Sequence, residues 1–101
     1  MMIALEEAVM EIIVNAGQSR SLCFEALHAA RQGNLDEAKS LLREADGYAG
    51  QAHKMQTKLI EQDAGEARQP MTLIMVHAQD HLMNSLLARE LSEEIIHLYQ
   101  R

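Results

Sequence analysis

Aromatic side chains are nearly missing from this chain of 101 residues: Phe24, Tyr48 and Tyr99 make up 3% of it, and there is no Trp. Sheet cores draw on aromatic and β-branched residues, so the shortage points to helices packed through Leu, Ile, Val, Ala and seven Met. Cys23 is the only cysteine, which excludes an intrachain disulfide and removes any reason to expect an oxidising compartment. Basic residues are scarce as well. Nine Lys and Arg face fifteen Asp and Glu, a net charge of -6. With no basic run and few rings to stack on bases, no nucleic acid partner is expected. Long apolar runs are absent too: Ile12-Ile13-Val14 and Leu73-Ile74-Met75-Val76 fall far short of the roughly 18 residues of a membrane span. No segment resembles a signal peptide. The expectation is a single cytoplasmic domain over residues 1–101, without direct membrane insertion.

Breaks are equally few. Pro70 is the only proline, and turn-forming clusters occur at Gln32-Gly33-Asn34 and from Gln62-Asp63-Ala64-Gly65-Glu66 to Pro70. Two breaks predict three helices, at about 3–32, 35–62 and 71–100. Gly33 suits a left-handed end to the first, and Asn34 followed by Glu37 reads as a capping-box variant opening the second. The first helix carries a seam of Leu5, Val9, Ile12, Ala16, Ser19, Cys23, Ala26 and Ala30, broadened by Met10, Ile13, Leu22 and Leu27. The second seam reads Ala38, Leu41, Ala45, Tyr48, Ala52, Met55 and Leu59. It passes Gly47 and Gly50 without a phase slip, so these should weaken the helix rather than break it. The third stripe is Leu73, Val76, Asp80, Met83, Leu87, Leu91, Ile95 and Leu98. The fold class expected is all-α, an antiparallel three-helix bundle, slender enough to gain stability by association.

Chemistry concentrates in the third helix. His77 and His81 are four residues apart and share a face, His77 and Asp80 are three apart, and Gln79 points elsewhere. Two imidazoles and a carboxylate match the preferences of a borderline metal, but histidines at this spacing are also ordinary on helix surfaces. Asp80 interrupts an apolar stripe, where a buried carboxylate needs a cation, donors or a proton. Read without further knowledge, the pattern leaves three functions open: a reactive histidine, a metal-binding helical bundle using His77, Asp80 and His81 together, and a non-catalytic coiled-coil adaptor. His28, His53 and His97 lack clustered carboxylates and read as structural; Cys23 reads as a small buried hydrophobe, and Gly17 as a site of close helix packing. Met75 and Met83 flank the cluster and, with Ala78, are expected to line a shallow docking surface.

Val76-His77-Ala78-Gln79-Asp80-His81-Leu82-Met83 closely resembles the active-site segment of the lactose/cellobiose/chitobiose-class IIA components of the bacterial phosphoenolpyruvate-dependent sugar phosphotransferase system. The resemblance continues through Asn15-Ala16-Gly17 with Arg20-Ser21, Ala52-His53 with Gln56-Thr57 and Leu59-Ile60, and Asp63-Ala64-Gly65-Glu66. It implies a homotrimer of three-helix subunits acting as a phosphocarrier. His77 would accept a phosphoryl group from phosphorylated HPr and pass it to a cysteine of the cognate IIB component. Asp80 would bind one structural Mg²⁺ per trimer, where the subunits meet. The pathway would import a disaccharide such as cellobiose or chitobiose, with lactose as a further option. A histidine is largely neutral at cellular pH and can attack phosphorus without a separate base, so Gln79 and His81 would serve as hydrogen-bonding helpers.

Overall fold

Three helices account for most of the computed structural model, which describes residues 4–101: α1 (Leu5–Arg31), α2 (Leu35–Ala64) and α3 (Leu73–Tyr99). The other ends lie within about two residues of the predicted spans, the expected start of the first helix near residue 3 falls outside the described residues, and the described residues contain no strand. The bundle is a rod of 51 × 21 × 18 Å. Cross-helix pairs fix the directions. Gln56 of α2 meets Gln79 of α3, while Asp46 meets Arg89, so these helices are antiparallel. Val9 and Ile12 share a cluster with Met75 and Ala78, whereas Cys23 and Ala26 share one with Ile96, so α1 and α3 run parallel.

The α1–α2 turn follows from one residue. Gly33 has φ +87°, the left-handed conformation that only glycine adopts without steric cost. That allows the Gly33 N–H to donate to the Ala30 carbonyl at 3.0 Å and the Asn34 N–H to the Ala29 carbonyl at 2.9 Å, a Schellman closure of α1. The capping box expected at Asn34 and Glu37 does not form. Asn34 is the N-cap residue of α2, but its side chain makes no cap hydrogen bond, because the turn is already set by the backbone closure of α1. At the other connection the Asp63 carboxylate accepts from the Gln69 N–H at 2.7 Å, and the Thr72 hydroxyl accepts from the Met75 N–H at 3.3 Å to start α3.

The α1 seam is buried as predicted from Val9 to Ala30, with Leu5, Ile13, Leu22 and Leu27 packed against it; Met10 instead faces solvent. In α2 the seam turns by one position. Ala38, Ala45, Ala52 and Leu59 are buried as expected, but Leu42, Ala49 and Gln56 complete the heptad in place of Leu41, Tyr48 and Met55. Both choices share the same four anchors, and the lie of α1 selects between them. Gly47 and Gly50 stay within the continuous helix, and a Cβ at either meets nothing within 4 Å. Gly47→Ala and Gly50→Ala are each expected to raise stability by about 1 kcal/mol, measured by urea unfolding; a loss at either site would contradict the open surroundings.

The third stripe is the main correction. The bundle buries Met75, Ala78, Leu82, Ser85, Ser92 and Ile96 of α3, with Arg89 continuing the same face, while Val76, Met83, Leu87, Leu91 and Leu98 are exposed. The more apolar face of α3 is therefore turned outward. The inward face carries polar residues at mid-bundle, where Arg89 pairs with Asp46 through Nε at 2.6 Å and Nη2 at 3.0 Å and reaches Glu93 at 3.4 Å. Asp46 holds the guanidinium firmly protonated. Beside it Cys23 is buried, and burial pushes its thiol above the ordinary range. Native protein should therefore resist iodoacetamide at neutral pH and label fully in denaturant. Rapid native labelling, read by mass spectrometry, would contradict that burial.

Candidate functional site

His77 is exposed on α3, and His81 lies one turn further on, half-buried against α1. Helical spacing brings the rings into register: their planes differ by 7° and their centroids lie 5.9 Å apart. The reason His81 can lie so close to α1 is Gly17, where an added Cβ would stand 3.5 Å from His81 Nε2. That is ordinary contact, so Ala fits the position while a longer side chain would displace the imidazole. Beyond His81 the surface opens into a recess lined by Gly17, Arg20, Ser21, Phe24 and His28. Arg20 there lies over the Phe24 ring at 5.7 Å.

Gln79 is placed on the opposite side, toward α2. Its Oε1 accepts from Gln56 Nε2 at 2.7 Å, and its Nε2 lies 3.6 Å from Met75 Sδ. Gln56 also directs Nε2 toward Met83 Sδ at 3.8 Å. Gln79 thereby borders an apolar cleft with Leu59, Ile60, Met71 and Val76. Asp80 is exposed, midway between these two flanks and on the centre line of the outward stripe.

The structure thus stacks two of the four predicted site residues, His77 and His81, turns Gln79 away toward α2, and leaves Asp80 exposed beside His77 without a contact to it. Among the described residues no three His, Cys, Asp or Glu side chains gather in a way that could hold a metal ion within one chain. Stacked parallel rings do not converge on a point, so within one chain His77, Asp80 and His81 do not surround a common ion as the metal-binding alternative needs. The expected docking surface also changes: Met75 and Ala78 are buried, and only Met83 is exposed. His28, His53 and His97 are exposed. The partnership of Gln56 with Gln79 was not foreseen, and the one signal available was Gln56 itself, a polar residue in phase with Ala38, Ala45, Ala52 and Leu59.

The arrangement offers an accessible imidazole beside a second, on a rigid helix, with an apolar surface close by. Residues 7–100 match the family described as the phosphotransferase system lactose/cellobiose-specific IIA subunit. The chain is 50% identical over 97 residues to the N,N'-diacetylchitobiose-specific EIIA component of Escherichia coli K12, covering 96% of this chain and 84% of that protein. Among solved structures, the cellobiose-specific enzyme IIA of Bacillus anthracis superposes with a TM-score of 0.93 at 38% identity, over 99% of this chain and 92% of that one. The chitobiose IIA of Escherichia coli, solved in complex with HPr, gives a TM-score of 0.84 at 49% identity, over 97% and 95% of the two chains. With nearly its whole length matched in both sequence and fold, the chain belongs to the lactose/cellobiose-specific IIA family of the sugar phosphotransferase system.

Proposed function

We propose that the protein is a cytoplasmic phosphocarrier in which His77 takes a phosphoryl group from phosphorylated HPr and passes it to the cysteine of a IIB component, driving uptake of a disaccharide such as chitobiose or cellobiose, with lactose a further option. The observation that carries this reading is the exposure of His77 on α3 inside the unbroken Val76–Met83 segment, in a chain of the IIA family. In the first step the neutral His77 imidazole supplies a nitrogen lone pair to phosphorus. The P–N bond of the donor histidine breaks, and its electron pair stays on the donor ring, so no proton is consumed overall. In the second step a thiolate attacks the same phosphorus and His77 recovers its lone pair. Little covalent work remains for the protein beyond alignment and charge stabilisation. His81 supports the ring of His77 by stacking at 5.9 Å.

Assembly belongs to the same proposal. A stripe running through Val76, Met83, Leu87, Leu91 and Leu98 is longer and more apolar than a monomer keeps exposed, and a homotrimer about an axis along α3 covers it. Asp80 sits on the centre line of that stripe. Three such carboxylates, an all-oxygen donor set, fit one structural Mg²⁺ per trimer, which would neutralise their repulsion. Incubation with phosphorylated HPr should place one phosphoryl group per chain on His77, labile in acid and stable in alkali. Phosphate on serine, aspartate or another histidine would sink the reading.

A further inference from the structure

We infer that the recess between α2 and α3, at the end of the bundle away from His77, is a second binding site, for a small phosphate monoester with a hydroxylated body. Glu93 in its wall lies about 24 Å along α3 from His77 at 1.5 Å of rise per residue. The recess has a volume of about 210 Å³, room for a small organic ion rather than for a protein segment. Its lining runs against the composition of the chain. The protein carries a net charge of -6, yet three of its nine Lys and Arg side chains, Lys39, Arg43 and Arg89, meet here.

Two of these cations are unmatched. Lys39 and Arg43 stand four residues apart on α2, the spacing at which like charges on a helix repel. Among the described residues the ion pairs are those of Arg89 with Asp46 and with Glu93, so neither Lys39 nor Arg43 has a carboxylate partner. Two neighbouring cations facing one recess suit an anion with several acceptor oxygens, and a phosphoryl group presents three. Arg89 is fixed in advance. Its two bonds to Asp46, at 2.6 and 3.0 Å, hold the guanidinium at the deep end of the recess.

The opposite wall selects what is attached to the phosphate. Glu93 lies 3.4 Å from Arg89 Nη1, and its remaining lone pairs border the recess. That carboxylate repels a bare phosphate ion but accepts hydrogen bonds from hydroxyl groups. Leu42 and Ile96 are buried together and form an apolar floor for a carbon frame. The phosphoryl end therefore belongs against α2 and the hydroxyl groups against α3. Glu93 is about 120° around α3 from Leu87, so an assembly that covers the outward stripe leaves the recess open. A ligand held by both helices binds only while α3 is docked, and so stabilises the docked bundle.

The test is an NMR titration of the full chain with glucose-6-phosphate, inorganic phosphate and glucose as probes. Glucose-6-phosphate should give saturable shifts at Lys39, Arg43, Glu93 and His97; inorganic phosphate should bind more weakly, and glucose should give no shifts. Lys39→Gln and Arg43→Gln change exposed side chains, and each should weaken glucose-6-phosphate about tenfold or more while circular dichroism stays unchanged. Glu93→Gln should tighten inorganic phosphate by a larger factor than glucose-6-phosphate and so narrow the preference between them. Shifts centred on His77 and Arg20, affinities untouched by the two α2 variants, or glucose bound as well as its phosphate would overturn the site. Inorganic phosphate bound as tightly as the ester would overturn the hydroxylated body. The inference uses neither the reactivity of His77 nor the trimer: a wild-type protein never phosphorylated on His77 removes the phosphocarrier reading alone, and a failed titration removes the recess alone.

Discussion

His77→Gln is expected to leave a folded, associating bundle that takes up no phosphoryl group. The His77 side chain is exposed, so its replacement removes a stack with His81 and little packing, and surface changes of this kind shift stability by about 0.5 kcal/mol or less. Its effect on chemistry is of another order. A glutamine amide has no nitrogen lone pair free to form the P–N bond, so transfer should fall at least about a thousandfold, to the level of the uncatalysed background. Gel filtration and circular dichroism beside acid-labile phosphate measurement separate the two effects. A His81→Gln control sharpens the assignment: it should retain one phosphoryl group per chain at reduced rate. Retention of label by His77→Gln would move the acceptor to another residue, and loss of the trimer would show that His77 packs rather than reacts.

The second large effect concerns the outward stripe of α3. Leu87→Asp places a carboxylate where Leu87 is 54% exposed in a single chain and is expected to be covered in the assembly. Each trimer then loses three leucine burials at about 1.5 kcal/mol or more apiece and gains three unpaired charges. Leucine burial alone converts to about a thousandfold weaker association. Asp80→Leu, one heptad before it, should do the reverse: it continues the apolar stripe, removes the mutual repulsion of three carboxylates and makes assembly insensitive to EDTA. Sedimentation of both variants with and without Mg²⁺, beside elemental analysis of the wild type, checks the pair. A Leu87→Asp trimer as tight as wild type would place the subunit contact elsewhere, and a stable wild-type trimer containing no metal at alkaline pH would remove the ion from the account.

The two variants also mark what was legible in the sequence. Helix number, both breaks and the α1 seam could be read directly, because Gly33, Pro70 and an unbroken run of small and apolar residues each have one local consequence. The α2 seam was legible only to within one position, since Leu41 and Leu42, Tyr48 and Ala49, and Met55 and Gln56 compete around the same anchors and the winner depends on the approach of α1. For α3 the stripe itself was found, but hydrophobicity does not say whether an apolar face meets its own chain or another copy. The inward face was harder to see, being made of Ala78, Ser85, Arg89 and Ser92 beside the larger Met75, Leu82 and Ile96. Two polar residues of α3 have their partners in α2, Arg89 in Asp46, 43 positions earlier, and Gln79 in Gln56, 23 positions earlier, whereas Ser85 donates to the Leu82 carbonyl of its own helix. No local pattern connects residues so far apart. Of the candidate site, the segment from Val76 to Met83 stood out by its resemblance, whereas the opposite placement of His77 and Gln79 emerged only once the neighbours of each were known.

The turn built on Gly33 bears on the order in which the molecule folds. It joins α1 to α2 through only Gln32, Gly33 and Asn34, so the pairing of those helices closes a very short loop and loses little chain entropy. The link to α3 is longer, running from Gly65 to Thr72, and the face α3 offers to the other two is small and partly polar. The α1–α2 hairpin is therefore expected to form the folding nucleus, with α3 docking late. Mutations in the Ala38, Ala45 and Ala52 contacts would then slow refolding, while those at Met75, Leu82 and Ile96 would mainly speed unfolding. The helix that carries His77 would accordingly be the first to detach in the native state, and its amides the first to exchange with solvent.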